Sequence, residues 1–152
     1  MKNTTSKSPR KSSKHRASFG GSIDRVKVSL RVFGEKLDPN EISRILRCEP
    51  TSQTKKGEVI VGPLARQRIA SFGRWLLDSV EDEGMDLEEQ IFKLLSRVSS
   101  DLEIWKELTK KYKVDLFCGL FLDESNRGFS LSPAVLKELS ERNLKIVFDI
   151  FA

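Results

Sequence analysis

Residues Arg25 to Phe33 read RVKVSLRVF, and the two alternations within this stretch carry opposite chemistry. Val26, Val28, Leu30 and Val32 fall on one of them, and Arg25, Lys27, Ser29 and Arg31 on the other. A period of two with a single apolar side predicts a strand buried on one face and open on the other. A sheet built on such a strand keeps its helices mainly on the apolar side, which is a two-layer α+β arrangement.

The rest of the chain supplies partners for it. In LDPNEISRIL, Asp38 is placed to cap a helix, with Pro39 at its first position and Glu41 three residues after the cap; Leu37 and Ile42 are spaced as a hydrophobic staple. Ile42, Ile45 and Leu46 form its buried stripe, and the helix ends before Pro50. FGRWLLDS from Phe72 reads as a second strand. Asp86 caps a helix carrying Leu87, Ile91, Leu94, Leu95 and Val98, and another helix from about Asp101 carries Leu102, Trp105 and Leu108. KVDLFCGLFL, apolar on both alternations, is a third strand, closed by the turn DESNRG. Ser132 and Pro133 then open a last helix, with Leu131 and Leu136 as its staple, and LKIVFDIF is the last strand.

This order predicts a four-stranded, mostly antiparallel sheet with helices mainly on one face, ferredoxin-like with extra helices in the central connection. The open face then presents Lys27, Ser29, Arg31, Phe33, Phe117, Phe121, Lys145, Asp149 and Phe151. Basic groups interleaved with aromatic rings on an open sheet are one way to stack single-stranded RNA, but the basic and Gly-Phe signature of an RNP1 element is missing from LFCGLF. Phe33, Phe117, Phe121 and Phe151 are therefore candidate interface residues, for a second copy or another protein.

The net charge of +5 is confined to one end. Residues 1–22 carry six Lys and Arg and no acid; taking those six from 27 in the chain leaves 21 basic against 22 acidic groups in residues 23–152. The segment is rich in Ser and Thr and poor in apolar residues, so it is expected to be a disordered tail ahead of one globular domain over residues 23–152. It either solubilises the chain or makes weak, salt-sensitive contact with a polyanion such as nucleic acid. No apolar run approaches a membrane span and no secretory h-region precedes Ile23, while the two cysteines, Cys48 and Cys118, make neither a disulfide framework nor a zinc site. A cytoplasmic protein without a membrane anchor, metal or cofactor is expected.

The only histidine, His15, lies in the tail, so Ser-His-Asp and Cys-His triads are excluded from residues 23–152. GxSxG, GxGxxG, HExxH and a P-loop are missing. The acidic run EDEGMDLEE, Glu81 to Glu89, is better explained by helix capping than by acid-base chemistry. A non-enzymatic role is expected. One basic cluster remains: Lys55, Lys56, Arg66, Arg68 and Arg74 lie between residues 55 and 74 with Glu58 as the only acid among them, and Trp75 follows. If these groups converge, they suit phosphate or carboxylate; if not, they are a solvated loop. Trp75 either lines such a pocket beside Arg74 or belongs to the core.

GEKLDPNEISRILRCEPTSQTKKGE from Gly34 to Glu58, followed by GRWLLDS from Gly73, DLEEQIFKLL from Asp86 and the terminal LKIVFDIF, resembles a bacterial family known as a domain of unknown function, number 4279. The resemblance covers residues 25–152 and leaves out the tail. It implies a compact α+β domain and transfers no catalytic or binding residue. Some small bacterial domains of this kind sit near toxin systems as immunity or interaction proteins, so an immunity-like setting is implied. Two functions follow as expectations: a protein-interaction module, alone or as a homodimer, and a binding domain for an anionic ligand or nucleic acid through the basic cluster.

Overall fold

The computed structural model describes residues 23–80, 85–123 and 127–152. The basic tail over residues 1–22, residues 81–84 of the acidic run and residues 124–126 of the DESNRG turn lie outside the described residues.

The first described strand, β1 (Arg25–Gly34), forms the middle of a five-stranded sheet. Helix α1 (Pro39–Leu46) follows, with Asp38 accepting from the Asn40 N–H at 3.1 Å and Arg47 closing it in the left-handed region at φ 56°. Three short strands come next: β2 (Ser52–Thr54), β3 (Val59–Val61) and β4 (Gln67–Ile69), with a single 3-10 turn at Pro63–Ala65 between the last two. Strand β5 (Gly73–Asp78) leads to α2 (Leu87–Ser96) and α3 (Leu102–Lys111), then β6 (Lys113–Phe121), α4 (Pro133–Glu141) and β7 (Lys145–Phe151). Asp86 and Glu89 exchange the two bonds of a capping box at the start of α2, so negative charge meets the helix dipole there.

The sheet order is β2-β5-β1-β6-β7. Every neighbouring pair is antiparallel except β6 and β7, which α4 joins as a parallel crossover. One sequence expectation is corrected here. The sheet has five strands because Ser52–Thr54 pairs along β5. β2 runs parallel to β1 with β5 between them, and β6 runs parallel to β5 with β1 between them, so α1 and the α2–α3 pair each span a split βαβ connection. The chain reverses through the β3–β4 hairpin, and that reversal sets the direction of β5.

All four helices cover the apolar alternation of the sheet. Val26, Val28, Leu30 and Val32 of β1, Trp75 and Leu77 of β5, and Leu116, Cys118 and Leu120 of β6 are buried against Ile42, Leu46, Ile91, Leu94, Trp105, Leu108, Val135 and Leu139. Truncating a buried ring such as Trp75 to Ala would cost about 3–5 kcal/mol. One stripe differs from expectation: Leu102 is exposed, and Ile104 packs partly on the core in its place. Gly34 and Gly73 face each other across β1 and β5 where the chain turns into α1, and the Leu37 carbonyl lies 2.5 Å from where a Gly73 Cβ would sit.

Candidate functional site

Residues 55–72 leave the sheet edge as an arm. Ala70 closes its base, accepting from the Gly57 N–H at 2.8 Å and donating to the Glu58 carbonyl at 2.9 Å. Val59 pairs with Ile69 and Val61 with Gln67, so these apolar residues share one face of the hairpin, while Ile60 and Arg68 share the other. No layer packs on that apolar face: Val59, Val61 and Ile69 are 59%, 64% and 72% exposed. At the tip Leu64 is 90% exposed, and Leu64 and Ala65 hold φ of 62° and 56°, a left-handed pair that side chains adopt at a cost.

The structure distributes the predicted basic cluster over four places. Lys56 donates to Glu35 Oε1 at 2.7 Å, beside the β1–α1 turn, and this contact holds the Glu35 carboxyl below its ordinary value. Arg66 and Arg68 are exposed on the arm, Arg68 on the face opposite Val59 and Ile69 and Arg66 just before β4. Arg74 stands on β5 between Thr54 and Phe33, half-buried on the open face of the main sheet. Lys55 is exposed at the foot of the arm. Trp75 points the other way: it is fully buried under α1, its Nε1 donating to Ser43 Oγ at 3.0 Å, and it does not stand beside Arg74. A shallow cleft of about 380 Å³ between α3 and the end of α4 includes none of these residues.

The open face holds the four predicted phenylalanines, but the charges that β1 sets among them are already engaged. Arg31 makes a two-pronged pair with Asp115 at 2.6 and 2.7 Å and lies over the rings of Phe117 and Phe33 at 4.6 and 5.3 Å. Arg25 sits 4.0 Å over Phe121, which stacks on Phe151 at 4.8 Å. Ser29 donates to Asp78 Oδ1 at 2.6 Å, and Lys27 lies 3.6 Å from the same carboxylate. Guanidinium groups held by carboxylate and ring have little left to offer a phosphate chain. The tail's phosphate-binding expectation falls outside the described residues.

Two cysteines remain to be placed. Cys118 is fully buried beneath the helices, and burial pushes its thiol up to about 12, which keeps it protonated and inert. Cys48 is half-buried after α1. Among the described residues no group of His, Cys, Asp and Glu is arranged to hold a metal ion, and no helix is long and apolar enough to cross a membrane.

Sequence reasoning missed the arm. Its signal was the Val59-Ile60-Val61 run and the Gly62-Pro63 turn, followed by Arg66-Gln67-Arg68-Ile69 at hairpin distance.

Four helices laid on one side of a mixed five-stranded sheet, with a protruding two-stranded arm, define a small two-layer α+β domain. The chain belongs to the family described as a domain of unknown function (DUF4279), whose model matches residues 24–152. No curated protein and no solved structure matches it.

Proposed function

We propose that this chain is a non-catalytic protein-interaction module and that the β3–β4 arm is its contact element. The observation that carries the reading is the arm's unshielded apolar surface, from Val59, Val61 and Ile69 to Leu64 at the tip. Burying such a surface on a partner recovers about 25 cal/mol for each Å² of apolar area removed from water. The left-handed backbone at the tip supports the same reading, since strain at an exposed loop persists where a particular shape is used. The partner chemistry follows from the two faces of the arm. An apolar cleft receives Val59, Val61 and Ile69, and carboxylates at its rim meet Arg66 and Arg68, which no ion pair engages among the described residues. An immunity-like protein would use such an arm to occupy the cleft of its target.

A photo-crosslinking side chain at Leu64 identifies the partner in cells, and the purified pair is then titrated. The variant Val61→Ser/Ile69→Ser is expected to bind at least tenfold more weakly with its melting temperature nearly unchanged, because both side chains already face water. Equal binding by the variant would overturn the reading. Salt-dependent binding of an oligonucleotide or polyphosphate, abolished by Arg66→Ala/Arg68→Ala, would replace it with the anionic-ligand function.

A further inference from the structure

The two edges of the main sheet are unlike each other. One is β2, only three residues long, and such brevity is itself a protection against edge pairing. The other is β7, seven residues reading KIVFDIF, with no proline and no glycine, and among the described residues no strand pairs with its outer side.

The backbone of β7 is set for pairing. The Phe151 carbonyl accepts from the Leu122 N–H, toward β6, so the alternation along the strand turns the amide groups of Ile146, Phe148 and Ile150 outward. The side chains divide as cleanly. Lys145, Val147 and Asp149 stand on the open face, and Ile146, Phe148 and Ile150 on the helix face, where Ile150 remains 57% exposed. Lys145 and Asp149 are both exposed and lack partners within their own sheet. Asp149 lies beside Gly119, which offers no side chain, and Lys145 lies beside Asp115, which Arg31 already holds from two sides.

We propose that the β7 edges of two copies pair antiparallel about a two-fold axis at Val147, joining two sheets into one of ten strands. With both open faces on the same side, residues of the same alternation stand opposite each other. The axis at Val147 sets Lys145 against Asp149 of the second copy, twice by symmetry. On the helix face it sets Ile146 against Phe148 and Leu144 against Ile150. Ile146 and Phe148 form the hydrogen-bonded pairs, because their amides point outward. Lys145 and Asp149 fall in a pair without backbone bonds, where side chains approach more closely. Moving the axis one residue, to Phe148, would set Lys145 against Phe151 and Asp149 against Val147, so charge selects the first register. This pairing uses the edge opposite the arm and does not depend on the arm's partner.

The test is the mass of the whole chain in sedimentation and light scattering between about 1 and 100 µM, a range suited to a short-edge interface. Twice the chain mass of 17.3 kDa is expected. Lys145→Glu and Asp149→Lys each place two like-charge pairs across the axis, and each is expected to weaken the dimer on the order of tenfold or more. An equimolar mixture of the two variants makes both pairs opposite in sign, and so does the double variant; both are expected to restore the dimer. The proposal is overturned by a wild-type monomer throughout that range, by a dimer that neither reversal weakens, or by weakening that the mixture does not rescue.

Discussion

Replacing Gly73 by Ala tests the tight crossing between β5 and the turn into α1. A Cβ built there would lie 2.5 Å from the Leu37 carbonyl oxygen, 2.9 Å from Leu37 Cβ and 3.2 Å from the Gly34 carbonyl oxygen, where ordinary contact begins near 3.4 Å. Two of these three atoms are backbone, so no rotamer change removes the overlap, and the turn into α1 must move off β5. Overpacking of this kind costs about 1–3 kcal/mol, and the upper end applies where backbone has to shift. The unfolded chain loses freedom when Gly becomes Ala, which returns about 0.4–1 kcal/mol. The net expectation is a loss of about 2 kcal/mol. With a urea slope of about 1.5 kcal/mol per molar, the unfolding midpoint falls by roughly 1.3 M. Gly34→Ala is the internal control. Its Cβ meets the ring of Tyr112 at 2.5 and 3.0 Å, a half-buried side chain that can turn away, so a change of less than about 1 kcal/mol is expected. A Gly73→Ala protein as stable as wild type, or a Gly34→Ala protein less stable than it, would refute this account of the β1–β5 crossing.

Three further expectations concern charge and thiols. Asp115→Ala leaves the Arg31 guanidinium between two phenyl rings without its carboxylate, and should lower unfolding stability by about 2 kcal/mol, with part of the loss recovered by adding Arg31→Met. Glu35 and Asp24 are both held below their ordinary values, the first mainly by the Lys56 hydrogen bond and the second mainly by the Asp123 backbone N–H. A depressed carboxyl stabilises the fold above its unfolded value and loses that contribution as pH falls through the folded one, so both contributions are present at neutral pH and are lost only below about pH 4.5. Carbon-detected NMR titration should show Glu35, and not Asp24, moving up toward 4.5 in Lys56→Ala. With a disulfide reagent at pH 8, native protein should yield one fast thiol, Cys48, while Cys118 reacts only on unfolding because its thiol stays protonated and enclosed.

Where a segment packs on the core, its pattern was readable. The alternation of Arg25–Phe33, the Asp86 capping box and the Ser132-Pro133 start all record a choice between water and interior, and the structure places β1, α2 and α4 accordingly. It also places Phe33, Phe117, Phe121 and Phe151 on the open face, as the alternation requires. The arm left no such record. Both of its faces meet water, so Val59, Val61 and Ile69 obey no core-facing period. Ser52–Thr54 is too short and too polar to announce a strand and is one only because β5 offers an edge. The basic cluster was legible as composition but not as geometry. Lys56 is drawn to Glu35, 21 positions earlier, and the arm lifts Arg66 and Arg68 onto a separate sheet from Arg74.

The central place of β1 has a consequence for how the chain is made. Among the described strands it is synthesised first, yet both neighbours arrive late: Ser29 meets Asp78 across 49 positions, and Arg31 meets Asp115 across 84. At about 5–20 residues per second, a nascent β1 waits roughly 4 to 17 s for β6 to appear. During that interval its valines are sheltered first by α1 and β5 and then by α2 and α3, while its far edge stands open. Long-range closure of this kind places the protein among slow-folding topologies, whose hazard is capture by other chains before the sheet is complete. Arg25, Lys27 and Arg31, spaced along the same strand, put like charge on every nascent copy and hold such copies apart until β6 closes the sheet.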